Sequence, residues 1–240
     1  MKRSAVILLL LFAAMGVNAQ DPQFEVNLEG FSAFGSARVT NLGILGGGAV
    51  SDFDYSDVRG SAFWDDHWNT AMFYTSTNSI LVGAVKLNLY ANEIWYQDQN
   101  GKPLVVKPGV VKKIVFYKAN DTSTIIMQFI YMETIGEGPN HYVQILNDGK
   151  TQLLKLTSIK LYKGSPDVLN GKEEYGFSNK ADYYVFHNHE IKKLKSLTRD
   201  EVLTTLQASS GDEAWLKQTS NKLKNENDYI AFFNHYNKQH

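Results

Sequence analysis

Residues 82–106, VGAVKLNLYANEIWYQDQNGKPLVV, constrain the fold of this chain more than any other stretch. Leu81, Gly83, Val85, Leu87 and Leu89 alternate with residues that can face away. Residues 94–96 and 104–106 then flank Asn100-Gly101, the dipeptide that most strongly signals a hairpin. A period of two over this length puts successive side chains on opposite faces of a sheet, so the chain is committed to an antiparallel β-meander. The sequence carries no nucleophile elbow, no phosphate loop, no zinc-type spacing and no cysteine.

The N-terminus reads as an export signal. Lys2 and Arg3 precede an apolar run over residues 5–14, and Val17-Asn18-Ala19 supplies the small-residue cleavage pattern before Gln20. A membrane anchor needs about 20 apolar residues, and Asn18, Gln20 and Asp21 interrupt the run too early. Lipid attachment is excluded by the lack of cysteine. The mature protein is expected to start at Gln20 and to be periplasmic or secreted. Without Lys2 and Arg3 it has 22 basic residues against 25 acidic ones, a net charge near −3 with the six histidines neutral. Nothing in that balance points to nucleic acid, and no later segment is expected to span a membrane.

Residues 23–40 predict one strand, and the glycine-rich residues 41–50 a flexible loop, since no Gly-Lys-Ser/Thr follows to hold a phosphate. Asp52, Asp54 and Asp57 resemble the start of a calcium loop, but the central glycine and the bidentate glutamate are missing, so a solvated turn is the better reading. Further strands are predicted at residues 69–75, 80–90, 92–98, 104–106, 112–118, 124–133, 142–146 and 152–162, then an exposed loop over 165–179 and a hairpin of 183–186 with 191–194. His187 and His189 at its tip could share a metal on one strand face, but no third ligand is in sight, and no metal or cofactor is expected.

At Leu197 the period changes from two to 3.6. Thr198 and Glu201 fit a capping box, with Leu197 and Val202 as the hydrophobic staple. A second helix is expected from about Asp212. A third is capped by Asn225 and carries Tyr229, Ile230, Phe233 and Tyr236 at i, i+1, i+4 and i+7. The fold class is therefore α+β, mainly β: an antiparallel β-meander, as an open sheet or partly closed barrel, followed by two or three short C-terminal helices. The organisation expected is a signal peptide over 1–19, a β-meander region over 20–196, and helices over 197–240 docked on the sheet.

Gly60-Ser61-Ala62-Phe63-Trp64-Asp65, the run Lys86-Leu87-Asn88-Leu89-Tyr90-Ala91-Asn92-Glu93-Ile94 with its Asn-Gly-Lys turn, and Leu153-Leu154-Lys155 resemble a family of uncharacterised exported proteins of Gram-negative bacteria. In that family a Tyr-Asn-Leu-Tyr motif is usual. Leu87 stands where tyrosine is common, and Asn92 where an acid is. The resemblance runs from about residue 60 to the C-terminus and implies export; it implies no activity.

The densest functional-looking cluster is Phe63 to Trp68. Trp64, Asp65, Asp66, His67 and Trp68 are the candidate binding residues, because tryptophans beside carboxylates can form a sugar platform. The plainer reading is core or interface aromatics on either side of a polar turn. No catalytic residue is assigned. A non-catalytic binding or assembly module, contacting an envelope protein or a glycan, is the reading the sequence favours. The alternatives are a hydrolase of envelope or extracellular carbohydrate using Asp65, Asp66, Glu93 or Glu133, whose carboxylates would meet only in the fold, and a carrier of a small apolar ligand in a cup-shaped meander.

Overall fold

The computed structural model describes residue 45, then 48–50, 54–98, 100–118, 121–133, 135, 141–166, 171 and 173–240. The signal peptide, the strand expected over 23–40 and Asp52 lie outside the described residues.

Among the described residues twelve strands form one sheet. In chain order they are β1 (Gly48–Ala49), β2 (Val58–Arg59), β3 (Asn69–Thr75), β4 (Ile80–Asn88), β5 (Glu93–Gln97), β6 (Pro103–Val105), β7 (Val111–Lys118), β8 (Asp121–Met132), β9 (His141–Ile145), β10 (Gln152–Lys163), β11 (Tyr175–His187) and β12 (Glu190–Lys193). Their spatial order is β1-β6-β5-β4-β3-β7-β8-β9-β10-β11-β12, and β2 pairs in parallel with β11. The sheet is thus two meanders joined at β3–β7. It is mixed only through β2, and it is open rather than closed.

The connection from β6 to β7 shows that the sheet curls. In the sheet, β6 lies four strand spacings from β7, about 19 Å if flat, and the link between Val105 and Val111 could span at most ~20 Å fully extended. That link is folded instead: Val110 N donates to Lys107 O at 3.2 Å and Gly109 has φ 77°. The sheet must therefore bend to bring β6 back toward β7. Across the gap, Tyr142 N on β9 donates to Asn92 Oδ1 on the β4–β5 turn at 3.0 Å.

Residues directly opposite each other in a sheet share a face, so Phe73, Ile114, Phe129, Gln144, Lys155 and Tyr183 line up on one side from β3 to β11. That is the concave side. In the curled half it is filled by Phe73, Phe116, Leu87, Ile94 and Tyr96, each at most 2 % exposed. Phe177 falls on the same face of β11 as Tyr183, by alternation, yet its ring meets Tyr55 and Tyr90, which stand over the convex side of β4–β5 beside Trp95. The sheet is thus rolled like a scroll, the inner face of the long β10–β11 arm lying over the outer face of β5.

The helices are α1 (Arg199–Leu206), α2 (Ser210–Gln218) and α3 (Glu226–Gln239). They cover the concave face of the second half: Val202, Leu206, Leu216, Tyr229, Phe232, Phe233 and Tyr236 pack with Leu153 and Val185. Tyr229 and Tyr236 hydroxyls donate to Leu197 O and Leu206 O, both at 2.9 Å, so each buried phenol is satisfied. Asn237 at the end of α3 binds the β9–β10 turn, accepting from Thr151 N at 2.8 Å and donating to Thr151 O at 2.8 Å.

Several sequence expectations need correction. The loop expected over 165–179 ends early, because β11 begins at Tyr175. The glycine-rich stretch contains β1, paired to β6. Thr198 is the N-cap of α1, but its side chain caps nothing; Glu201 instead accepts from Lys195 N at 3.2 Å. The capping box belongs to α2, between Ser209 and Asp212, so that helix starts earlier than Asp212. Asn225 does cap α3, accepting from Asp228 N. In α3, Phe232 is fully buried where Ile230 is half-buried, so the stripe runs 229, 232, 233, 236.

Candidate functional site

The five residues singled out between β2 and β3 are not brought to one surface. Phe63 makes an isolated bridge with Asn88, and Trp64 N donates to Leu87 O at 2.9 Å, which locks the segment alongside β4. This turns the Trp64 ring inward, onto Phe116 and Phe129 at centroid distances of 4.7 and 5.8 Å. Asp65 turns back on its own chain, accepting from His67 N at 2.8 Å and pairing with His67 Nδ1 at 2.9 Å. The hydrogen bond from the His67 backbone holds the Asp65 carboxyl below the ordinary range, more than burial raises it. Asp66 accepts from Ser61 Oγ at 2.7 Å, and the His67 side chain is 88 % exposed. Trp68 emerges on the convex side, with Lys86 Nζ 5.5 Å from its ring centroid.

Around Trp68 and Lys86 lies an aromatic patch that sequence reasoning did not assemble. Lys86 pairs across the strands with Trp95, and Asn88 with Glu93, on the face opposite Leu87 and Ile94. Tyr55 sits among Phe63, Tyr90, Trp95 and Phe177 at centroid distances of 5.5 to 6.4 Å, and its hydroxyl accepts from the fully buried Asn88 Nδ2 at 3.1 Å. Phe63 meets Trp95 edge-on at 5.0 Å and carries Lys86 Nζ at 5.1 Å. Such edge and cation contacts add to area burial. Tyr90 is nevertheless 39 % exposed. The strand alternation of residues 82–96 carried the signal for Lys86 and Trp95. Phe177 lay in a stretch read as loop, so its partnership was invisible.

The other carboxylates considered for hydrolysis are each engaged locally. Glu93 Oε2 accepts from Trp95 Nε1 at 3.0 Å, and Glu133 pairs with Lys112 at 3.4 Å on the surface. The tip histidines diverge: His187 Nδ1 lies 2.7 Å from Thr151 Oγ1 and its ring faces Tyr236, whereas His189 lies against Phe186, which alternation places on the other face of β11. Among the described residues no group of three or more His, Asp or Glu side chains is arranged to hold a metal ion. Asp54 closes its turn by accepting from Ser56 N at 2.8 Å.

A second buried polar cluster ties α2 to α3. Asp212, 1 % exposed, accepts from Ser209 N and Oγ at 2.8 and 2.7 Å, and faces His235 Nε2 and His240 Nε2 at 3.4 and 3.3 Å. The two imidazoles stack on Trp215 and Tyr236. Among the described residues no helix is long and apolar enough to cross a membrane. Comparison of the chain with protein-family models, with curated proteins and with solved structures gives no match.

Proposed function

We propose that this is an exported, non-catalytic envelope or secreted protein that works as a binding or assembly module, contacting an envelope protein or a glycan through the convex aromatic patch. The observation that carries this reading is the patch itself: Trp68, Tyr90 and Trp95 with Lys86 form a half-exposed aromatic surface on a rigid sheet. Aromatic side chains of this kind supply large contact area at small entropic cost. The signal pattern of residues 1–19 and the resemblance over residues 60–240 support export.

The hydrolase reading draws no support from the carboxylates. A general acid must keep its proton near neutral pH, and the Asp65 carboxyl is shifted the other way. The carrier reading draws little from the groove of about 370 Å3 between β8–β9 and α3, because Gln128, Gln144, Asn147, Asp148 and Glu226 line it beside Met127, Leu146 and Ile230.

The test combines location and binding. Fractionation of producing cells should place the protein outside the cytoplasm, starting at Gln20, and the purified protein should co-sediment with isolated envelope fragments. A Trp68→Ala/Tyr90→Ala variant should lose co-sedimentation while its melting curve stays within a few degrees of the parent. Cytoplasmic retention, or polysaccharide hydrolysis abolished by Glu93→Gln, would sink the proposal.

A further inference from the structure

The β3–β4 hairpin borders a cavity that takes no part in the aromatic patch. It has a volume of about 370 Å3 and is walled by Tyr74, Lys112, Lys113 and the turn residues Thr75, Ser76, Asn78 and Ser79. A register slip places it: Tyr74 pairs with Lys113 but Thr75 with Val111, so Lys112 is the extra residue of a bulge and both lysines reach the cavity wall.

The two lysines differ. Lys112 Nζ is neutralised by Glu133 at 3.4 Å and lies 4.8 Å from the Tyr131 ring centroid. Lys113 is half-buried, and its Nζ lies 5.9 Å from the Tyr74 ring centroid. It makes no hydrogen bond or ion pair among the described residues. Burial pulls its pKa down, and Asp148, which already accepts from Gln128 Nε2 at 3.3 Å, offsets this only in part. A half-buried ammonium with no ion pair among the described residues and only a more distant carboxylate, Asp148, is costly, and a cation–π contact returns only a fraction of that cost. The turn adds free donors. Thr75 and Ser79 are consumed within it, Ser79 N donating to Thr75 Oγ1 at 3.0 Å. The Ser76 hydroxyl and the Asn78 amide, both exposed, have no partner among the described residues.

We propose that this cavity is an anion site for a small carboxylate- or phosphate-bearing molecule, with Lys113 meeting the anionic group, Ser76 and Asn78 donating to it, and the Tyr74 ring flanking its body. Both anions offer acceptor oxygens and a negative charge in direct reach of Lys113, which has no ion pair among the described residues, and charge-assisted bonds of this kind are the strong ones. The site is independent of the aromatic patch, so either can fail without the other.

The purified protein, labelled with 15N, is titrated separately with inorganic phosphate and with benzoate at low ionic strength while backbone amide shifts are followed. Saturable shifts confined to Thr75, Ser76, Asn78 and Lys113 with at least one probe are expected. Saturation by phosphate assigns the site to the anion alone, and by benzoate only, to a carboxylate with a flat apolar body. Lys113→Met should weaken binding at least tenfold and Lys112→Met less than twofold; if Lys113→Met does not fold, Lys113→Gln makes the same comparison. Absence of a saturable shift with both probes, or equal affinity in the Lys113 variant, overturns the proposal.

Discussion

Asp212 shows how one residue can hold two helices. Its carboxylate is fully buried, yet its pKa lies below the ordinary carboxylate range: burial raises it, and the hydrogen bonds from Ser209 Oγ and N, with His240, more than cancel that. Because the folded pKa is below the unfolded one, near 3.9, the ionised carboxylate stabilises the fold fully above that value. The contribution is lost as pH falls toward the folded pKa. Asp212→Asn should therefore lower the urea midpoint at pH 7, and the gap between variant and parent should narrow progressively as the pH is taken below about 5; a gap independent of pH would rule this role out. Gly149 is constrained just as sharply. It has φ 133°, and a Cβ there would lie 2.4 Å from Asn237 Nδ2, the side chain that closes the β9–β10 turn. Gly149→Ala should cost at least as much as Asn237→Ala, for which about 1–3 kcal/mol is expected from the buried Thr151 N–H left unpaired, its carbonyl keeping Asn147 Nδ2, measured by chemical denaturation. Neither dependence was legible in the sequence. Asp212 marks in sequence only the approximate start of the second helix, and nothing local marks the constraint on Gly149; the partners, His235, His240 and Asn237, lie more than twenty residues away and meet them only after the helices dock. Trp64 and Trp68 were equally ambiguous, since only three residues of irregular chain separate a core ring from a surface one.

At the scale of the element, regular patterns were readable and irregular ones were not. β3 matches its expected bounds at Asn69–Thr75, and the β4–β5–β6 meander follows from period-two alternation and the Asn100-Gly101 turn. The turn is longer than two residues: Gln97 pairs with Pro103, and Asp98 Oδ1 accepts from Asn100 N and Lys102 N, both at 2.8 Å. The first half of β11 escaped notice because its side chains are mostly exposed and carry no apolar alternation, so pairing with β10, and with β2 at Tyr175 and Gly176, defines it. At Gly176 the Tyr162 ring crosses where a side chain would stand: a Cβ would lie 2.5 Å from its hydroxyl, so that exposed ring would have to swing aside. The capping box was misplaced because Thr198-x-x-Glu201 and Ser209-x-x-Asp212 carry the same kind of signal, and packing rather than motif chose between them. For α3 three of the four expected stripe positions, Tyr229, Phe233 and Tyr236, are buried, and Phe233 lies fully buried in the helix–sheet cluster. Phe233→Ala should cost about 3–5 kcal/mol, read as a lowered denaturation midpoint at unchanged slope; a cost under about 1 kcal/mol would mean that α3 is not held by this contact.

For the whole molecule the question is whether sheet and helices stand or fall together. The meander was expected from sequence as an open sheet or partly closed barrel, but the strand order that sets its roll was not, because curvature comes from where strands pair, β3 against β7 rather than β6 against β7, and pairing partners leave little trace in one chain's periodicity. The roll leaves two halves of one concave face with separate partners: side chains of the sheet itself fill the first, and α1–α3 cover the second over Leu153 and Val185. A helix of 14 residues such as α3 is marginal alone in water. Its four buried aromatics, Tyr229, Phe232, Phe233 and Tyr236, contribute roughly 1.5–3 kcal/mol each only while β10 and β11 lie beneath them. The dependence runs the other way too. Without the helices, Leu153, Val185 and Leu194 would face water, Thr151 would lose Asn237, and Lys155 would lose its 2.8 Å ion pair with Glu226. Those losses fall on β10–β11, the strands whose far end closes over Tyr55 and Tyr90, so damage there should spread to the first half through Phe177. Deleting residues 198–240 is therefore expected to abolish soluble expression or to lower the melting temperature by well over ten degrees. The full-length protein should unfold in one transition, with tryptophan fluorescence from Trp64 and Trp95 in the first half and Trp215 in α2 changing together. A shortened chain that melts like the parent, with residues 198–240 readily removed by protease from the intact protein, would show instead that the helices are an appendage for some other partner and that the two halves of the concave face fold independently.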